Sequence, residues 1–283
     1  MNIIAFDTAS DVFSIGLSIE GHKYSISVDS GQKHSELIMD AADTLLRLAD
    51  IEKSSLNAVA CMEGPGSFTG LRIGFSAAKG LALALDIPII PVPTLDCMAY
   101  PLSFWPGMVL PVMDAKKNAF FTALYSQGSR ISDYFDIESK QLINTIEATW
   151  SGYNQQPRPK GSGYVGSDRY GLYAGLTPLK QNLEFSQTAQ RGGVLNPLAN
   201  KNTSVPLLLV TGPAASMVQN ALVEAFPGTV SCGIFHQGYV EGLLNLAIQN
   251  SIINKELLDF SVGPLYLRKS DAELTENMDI GNV

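Results

Sequence analysis

Apolar and polar residues alternate along the beginning of the chain, and short polar turns interrupt the alternation twice. Residues 2–7, 12–19 and 23–29 each carry this two-residue period, with turns at 8–11 and 20–22. The period is typical of strands with one buried face, and tight turns favour antiparallel pairing. The pattern predicts two consecutive antiparallel hairpins.

Longer elements with helical spacing follow these strands. Apolar residues recur every three or four positions over 35–49, where Ser35 is the expected N-cap, and again over 68–85. Short apolar runs at 57–62 and 87–92 are predicted strands. The order β-β-β-α-β-α-β predicts a mixed sheet with helices packed against it.

The same order of elements occurs a second time, without visible sequence identity between the two copies. Its predicted elements are strands at 108–113, 119–125, 131–135 and 206–210 and helices at 139–149 and 214–226. We expect an α/β protein with a duplicated fold and domains at 1–104 and 105–283. A Gly-, Pro-, Gln-, Asn- and Ser-rich insertion is expected at 151–206.

The two helices of the first copy carry more apolar or small residues than one sheet contact requires. Each glycine inside a helix costs about 1 kcal/mol relative to alanine, so glycines in 68–85 indicate that another backbone approaches closely. That backbone belongs either to a partner or to the same chain. The residues concerned are Leu37, Ile38, Ala41, Ala42, Leu45, Leu46, Leu48 and Ala49 on the first helix, and Gly70, Gly74, Ala77, Ala78, Gly80, Ala82 and Ala84 on the second.

A helix pair of this kind forms half of a helical bundle that a partner would complete. We therefore expect a two-fold homodimer through this surface when no other partner is present. We also expect that Gly74→Leu weakens assembly while the monomer still folds.

Composition limits the partners and the compartment. The chain carries 19 Lys and Arg against 27 Asp and Glu, a net charge of −8, so direct binding to RNA is disfavoured. No apolar run reaches the roughly 18 residues of a membrane span, and no basic leader precedes the first strand. Cys61, Cys97 and Cys232 form no close pair. We expect a cytoplasmic protein with reduced thiols.

The glycine-rich segment before the second helix differs from two common nucleotide loops. A Walker A loop needs Lys-Ser/Thr after its last glycine, whereas Leu71 and Arg72 follow Gly70. Gly64, Gly66 and Gly70 are spaced one residue wider than the dinucleotide fingerprint, and the chain opens with hairpins rather than with β-α-β.

Sequence motifs for metal-dependent or serine-protease chemistry are absent. His22, His34 and His236 are scattered, and the sequence contains no H-x-x-x-H, H-E-x-x-H or G-x-S-x-G motif. We therefore expect neither a metal site nor a cofactor, and His34 is expected to serve the entry of the first helix.

Several motifs together resemble the TsaB (YeaZ) family of bacterial threonylcarbamoyladenosine-biosynthesis subunits. The longest and most specific is G-P-G-S-F-T-G-L-R-I-G at 64–74. Shorter ones are I-A-F-D-T-A-S at 4–10, H-S-E-L at 34–37, V-M-D-A-K-K at 112–117 and P-L-Y-L-R at 264–268. The resemblance is dense over 1–125 and thin afterwards, apart from the last motif.

This resemblance implies an ASKHA fold, with two actin-like, ribonuclease-H-like domains. It implies a non-catalytic subunit that supports TsaD in transferring threonylcarbamoyl from threonylcarbamoyl-AMP to the tRNA adenosine next to the anticodon. TsaE, an ATPase, would join the pair, and tRNA would be met only through the complex. The family's docking of N-terminal-domain helices onto TsaD implies a partner-binding set of His34, Leu37, Ile38, Ala41, Ala42, Leu45, Gly70, Leu71, Arg72, Gly74, Phe75 and Ala78.

Enzymes of the ASKHA class hold a nucleotide between their domains with glycine-containing loops. The corresponding loops here are 7–11, which lacks glycine, 114–118, which has bulky side chains, and 211–215, where Pro213 removes a backbone donor. We expect at most a vestigial nucleotide cleft, with hydrogen-bonded rather than metal-bound carboxylates, at Asp7, Thr8, Asp114 and Gly212. The alternative is a stand-alone ASKHA enzyme, either a nucleotide-dependent transferase or a glycoprotease-like metallopeptidase.

Overall fold

The computed structural model describes residues 1–29, 33–155, 207–233, 238–253, 263–265 and 267. Most of the predicted insertion at 151–206 lies outside the described residues, as does His236. No helix within these ranges is long and apolar enough to cross a membrane.

The N-terminal half forms one mixed sheet with the strand order β3-β2-β1-β4-β5. The strands are β1 (Ile3–Asp7), β2 (Val12–Ile19), β3 (His22–Asp29), β4 (Ala58–Gly64) and β5 (Ile89–Pro93). β1, β2 and β3 are antiparallel neighbours, whereas β4 is parallel to β1 and to β5. The helices of this half are α1 (His34–Leu48), α2 (Phe68–Leu85) and α3 (Thr94–Ala99).

The C-terminal half repeats this topology in a second sheet. Its strands are β6 (Met108–Asp114), β7 (Ala119–Thr122), β8 (Tyr125–Ser126), β9 (Ser129–Arg130), β10 (Phe135–Glu138), β11 (Leu208–Thr211) and β12 (Val230–Gly233), and its helices are α4 (Ser139–Gln155), α5 (Ala215–Ala225) and α6 (Val240–Ile253). The order β10-β7-β6-β11-β12 again places antiparallel strands beside three parallel ones, and β8 and β9 form a side hairpin on β6. Two mixed sheets flanked by helices confirm the predicted α/β fold with a repeated order of elements.

Helices from opposite ends of the chain cover the two faces of the N-terminal sheet. On one face, α1 and α2 pack on the side chains of β1 and β2 that include Ile4, Phe6 and Ile15. On the other face, α6 packs on Ile3 and Ala5. Gly16 allows this close packing, because a Cβ there would lie 2.6 Å from a Leu244 methyl. Neither α6 nor the short elements α3 and β12 were predicted from the sequence.

The start of α1 differs from the prediction. Lys33, not Ser35, precedes the helix, and no side chain caps it. His34 enters the helix as its first residue because its ring, 4% exposed, packs near Phe13 with the ring centroids 6.0 Å apart. The N-cap prediction for Ser35 is therefore wrong, whereas the helix-entry role expected for His34 agrees with this packing.

The start of α2 lies directly against the turn between β1 and β2. A Cβ at Gly70 or Gly74 would overlap Thr8, and a Cβ at Gly66 would lie 2.7 Å from the Ala9 carbonyl oxygen. The closely approaching backbone therefore belongs to the same chain. The expectation that Gly74→Leu leaves the monomer intact is wrong, because the new side chain would collide with Thr8 inside the monomer.

Asp96 at α3 joins the two halves through a buried hydrogen-bond cluster. Its Oδ1 accepts hydrogen bonds from the hydroxyl groups of Tyr125 and Tyr134, the latter at 2.9 Å. Arg130 stacks on the Tyr134 ring at 4.3 Å from its centroid. Burial raises the pKa of Asp96, while the Tyr125 hydrogen bond, the Arg130 charge and the Tyr134 hydrogen bond act in the opposite direction.

Two alanine substitutions in the same helix should have opposite effects on stability. Gly70→Ala forces a Cβ against Thr8, and we expect it to lower the free energy of unfolding by roughly 1–3 kcal/mol. Gly80→Ala meets no atom within 4 Å and should raise this free energy by roughly 0.5–1 kcal/mol. Urea unfolding of both variants measures the difference, and equal effects would contradict the close contact at Gly70.

Replacing Asp96 by Asn should change how stability depends on pH. Because the folded-state pKa of Asp96 is raised, the native state retains its proton more tightly, and this carboxyl loses stabilising effect as pH rises above about 4. Asn keeps an Oδ1 acceptor for both tyrosines and does not ionise. The unfolding free energy of the wild type minus that of the variant should therefore fall with increasing pH and then level off. A difference that is constant over this range would argue against the raised pKa.

Candidate functional site

A groove of about 470 Å³ lies between the N-terminal turns of α1 and α2. Its lining combines apolar side chains, hydroxyl groups and one cation. The cation is Arg72, whose guanidinium carbon lies 3.7 Å from the centroid of the Phe68 ring. Phe68 is 43% exposed although it is a large apolar residue. The lining residues are Ser35, Ile38, Phe68, Thr69, Arg72, Ile73 and Ser76.

Exposed apolar and acidic side chains also occur elsewhere on the two helices. Met39 and Leu48 on α1 are 43% and 63% exposed, and Leu83 near the end of α2 is 71% exposed. Glu36 and Asp40 on α1 are also exposed. The helix pair therefore offers an apolar groove with acidic residues along α1 and a cation on α2.

The structure places most of the implied partner-binding residues inside the chain's own core. The buried members are His34, Ile38, Ala42, Leu45, Gly70, Leu71, Gly74, Phe75 and Ala78, whereas Leu37 and Ala41 are half-buried and Arg72 is exposed. Only Ile38 and Arg72 of this set line the groove. That the helix pair binds a partner stays a prediction, as does this set of residues, of which Leu37, Ala41 and Arg72 are at least partly accessible in the free chain.

The groove residues that sequence reasoning missed lie beside the core stripe of α2. Phe68 and Ile73 are apolar but fall outside the stripe that begins with Leu71 and Phe75 and packs on the sheet. An apolar residue outside the core stripe of an amphipathic helix is the signal that could have identified them. Ser35, Thr69 and Ser76 gave no such signal.

Asp7 at the end of β1 is fully buried, and donors of the same chain occupy its carboxylate. Oδ2 accepts from the Tyr239 backbone N–H at 2.8 Å and from the Ser14 hydroxyl at 3.0 Å, and Oδ1 accepts from the Ala9 N–H at 3.2 Å. Burial raises the pKa of Asp7, and these three hydrogen bonds counteract the shift. Tyr239 directly precedes α6, so the C-terminal part of the chain closes the carboxylate off.

Asp114 at the end of β6, the equivalent position of the second sheet, is also engaged within the chain. It accepts from the Lys116 backbone N–H at 2.7 Å and forms an ion pair with the Lys116 ammonium at 2.8 Å. The Lys116 hydrogen bond holds the pKa of Asp114 below its usual value. Lys116, Lys117 and Asn118 have φ angles of 62°, 55° and 58°, a region that favours glycine.

The other two cleft residues have structural contacts. The Thr8 hydroxyl donates to the Gly70 carbonyl oxygen at 2.7 Å, so it contacts α2. Gly212 has a φ of 99°, and a Cβ there would lie 2.5 Å from the Val112 carbonyl oxygen. A glycine at 212 is therefore required by the packing against β6, whether or not a nucleotide binds.

The described part of the chain offers few groups for direct catalysis. Across it, no cluster of three or more His, Cys, Asp or Glu residues is arranged to hold a metal ion. Burial raises the pKa of Cys61 and of Cys97, so both remain protonated thiols. The His34 Nε2 atom lies 3.3 Å from the Asp11 carbonyl oxygen and serves the entry of α1.

Comparison with known proteins agrees with the sequence motifs. The family described as TsaD, tRNA N6-adenosine threonylcarbamoyltransferase, matches residues 28–210. The chain is 36% identical to TsaB of Bacillus subtilis over 126 residues, which are 44% of this chain and 55% of that protein. It is 34% identical to TsaB of Haemophilus influenzae over 178 residues, 60% of this chain and 75% of that protein. The match thus spans about half of the first relative and three quarters of the second.

Solved structures share the fold. A Pseudomonas aeruginosa protein described as similar to peptidase YeaZ superposes with a TM-score of 0.62 at 20% identity, covering 94% of this chain and 99% of that one. YeaZ from Pseudomonas aeruginosa gives a TM-score of 0.59 at 19% identity with the same coverage. From these matches, the chain belongs to the TsaD-type sequence family and, through its TsaB relatives, to the TsaB (YeaZ) family.

Proposed function

We propose that the chain is a non-catalytic subunit in the biosynthesis of threonylcarbamoyladenosine on tRNA and that it binds TsaD through the α1–α2 groove. The observation that carries the proposal is the exposed apolar groove at the start of both helices. A phenylalanine with an arginine stacked on it has the composition of a protein–protein hot spot.

The family relationship supports TsaD as the occupant of the groove. The TsaD family matches a region of this chain that contains both α1 and α2. A TsaD subunit would therefore carry an equivalent helix pair. Two such pairs can pack around a pseudo-two-fold axis, with each groove receiving a helix of the other subunit. In the absence of TsaD, a second copy of this chain would fill the groove in the same way.

The state of the cleft supports a non-catalytic role. A cation would have to displace the Tyr239 N–H from Asp7 and the Lys116 ammonium from Asp114. In this proposal TsaD transfers threonylcarbamoyl from threonylcarbamoyl-AMP to the adenosine, and the ATPase TsaE joins the pair. The net charge of −8 disfavours direct binding of tRNA to this chain, so tRNA would be bound by the complex as a whole. The complex would act in the cytoplasm.

The alternative of a stand-alone ASKHA enzyme predicts a different result with nucleotide. Tight binding of ATP to the isolated chain in calorimetry, accompanied by hydrolysis, would support a nucleotide-dependent transferase. Absence of binding, together with a stable complex with TsaD, supports the proposed subunit.

Removing the exposed aromatic ring of the groove should weaken the complex. We expect Phe68→Ala to raise the dissociation constant for TsaD of the same organism at least tenfold, because truncated hot-spot residues cost about 2 kcal/mol or more. Calorimetric titration measures this change.

Leu83→Ala provides the matched control on the same helix. Leu83 is even more exposed, at 71%, but lies outside the groove, roughly four helical turns from Phe68. It should leave the dissociation constant unchanged. If both variants bind TsaD like the wild type, the groove is not the docking site.

A further inference from the structure

We infer that the β1–β2 turn (residues 8–11), and Thr8 above all, is the positioning element that sets the width of the α1–α2 groove and thereby the affinity for the partner. The inference rests on the proposed docking of TsaD at this groove. It assigns a task to the turn that corresponds to the first nucleotide loop of ASKHA enzymes.

The turn contacts the first two turns of α2 at three points. The Ser67 backbone N–H donates to the Ala9 carbonyl oxygen at 2.8 Å, and the Thr8 hydroxyl donates to the Gly70 carbonyl oxygen at 2.7 Å. The Thr8 side chain also faces Gly74, where a Cβ would overlap its hydroxyl oxygen. The Thr8 hydroxyl thus lies in a notch that exists only because α2 has glycines one helical turn apart.

The same turn also contacts the start of α1. The His34 Nε2 atom lies 3.3 Å from the Asp11 carbonyl oxygen. Residues next to these contacts line the groove, namely Ser35 beside His34 and Phe68 beside Ser67. One short turn therefore fixes both walls of the groove at the end where its exposed aromatic residue lies.

Contacts from the opposite side of the sheet, where α6 lies, also hold the β1–β2 turn in place. Asp7 directly precedes it, and the carboxylate of Asp7 binds the Ala9 N–H within the turn and the Tyr239 N–H at the start of α6. A continuous series of hydrogen bonds runs from Tyr239, next to α6, through Asp7 and Ala9 to Ser67 at the start of α2. Thr8, between Asp7 and Ala9, adds its own hydrogen bond to Gly70. The position of the groove wall thus depends on buried contacts that no partner touches.

Replacing the Thr8 hydroxyl by a methyl group should displace this wall. The hydroxyl oxygen is 2.7 Å from the Gly70 carbonyl oxygen, whereas a carbon atom approaches such an oxygen only to about 3.3 Å. In Thr8→Val, which has nearly the same volume, the start of α2 must therefore move away by roughly half an ångström.

Thr122→Val is the matched control for this change. The Thr122 hydroxyl is buried and donates to the Pro111 carbonyl oxygen at 2.8 Å, but it lies on β7 of the second sheet. Both variants lose one buried hydroxyl-to-carbonyl hydrogen bond, so similar losses of stability are expected. Only Thr8→Val alters a contact to α2.

The experiment compares the full-length wild type with Thr8→Val, Thr8→Ser and Thr122→Val. Titration with TsaD gives the dissociation constants, and methyl NMR of Ile38 and Ile73 reports on the two groove walls. We expect Thr8→Val to raise the dissociation constant roughly tenfold and to shift both methyl signals. Thr8→Ser, which keeps the hydroxyl, should restore both properties, and Thr122→Val should leave both unchanged. If Thr8→Val does not fold, Thr8→Ala tests the hydrogen bond alone, because it removes the hydroxyl without adding a methyl group. It should also raise the dissociation constant, since nothing then holds the Gly70 carbonyl oxygen, and unchanged binding would overturn the role of this hydrogen bond.

Each outcome separates this inference from the proposed function. If the wild type binds TsaD and Thr8→Val binds it equally well, or if Thr122→Val weakens binding as much, the positioning role is overturned. If the wild type itself does not bind TsaD, the proposed function fails. The methyl signals then decide the geometric part alone, and unshifted signals in Thr8→Val would refute it.

Discussion

The fold depends on the contact between the β1–β2 turn and α2, which is possible only because residues 66, 70 and 74 lack a Cβ. Glycines inside a helix cost about 1 kcal/mol each in conformational terms. Gly70 and Gly74 of α2 both have this unfavourable effect, but their lack of a Cβ allows the buried Thr8 to bind the helix backbone directly. The contact fixes α2 on the sheet, and the remaining elements of this face pack around it.

The residues expected to form a nucleotide cleft also have partners within the chain, as Thr8 has at α2. A buried carboxylate is tolerated when its oxygens accept hydrogen bonds, and Asp7 meets this condition with three donors. Asp114 is partly exposed and is paired with a lysine from its own loop. In a nucleotide-binding relative these positions would have to remain available. Here a cation at Asp7 would compete with the Tyr239 N–H, which ties the end of β1 to the start of α6.

The sequence predicted the strands and helices with a strong period, but it did not predict those without one. α1 and α2 have one core face each and were placed within a residue of their observed bounds. The helix α6 has apolar residues on nearly all of its sides, with the sequence V-E-G-L-L-N-L-A-I-Q-N-S-I-I. These residues are accommodated because the helix packs both on the sheet and on α3. Such a helix lacks the amphipathic stripe that sequence analysis detects. α3 has six residues and β12 has four, too few for a period to be recognised.

The partner-binding residues were harder to predict than the helices, for a different physical reason. Periodicity shows which residues of a helix are apolar, but not which of them the sheet covers. On α1 the stripe of Ile38, Ala42 and Leu45 is in the core. On α2 the glycines appeared suited to a partner because their neighbour, the β1–β2 turn, is remote in sequence. The ASKHA fold itself was predictable, since the repeated order of elements and the family motifs both indicate it.

The packing of α6 on the N-terminal sheet also bears on how the protein is made. β1 to β5 leave the ribosome first, yet the part of one sheet face that includes Ile3 and Ala5 stays uncovered until α6 (residues 240–253) has been synthesised. Contacts between such distant parts of a chain form slowly, and the uncovered apolar face favours aggregation in the interval. A helix from the far end of the described chain thus completes the packing of the first sheet.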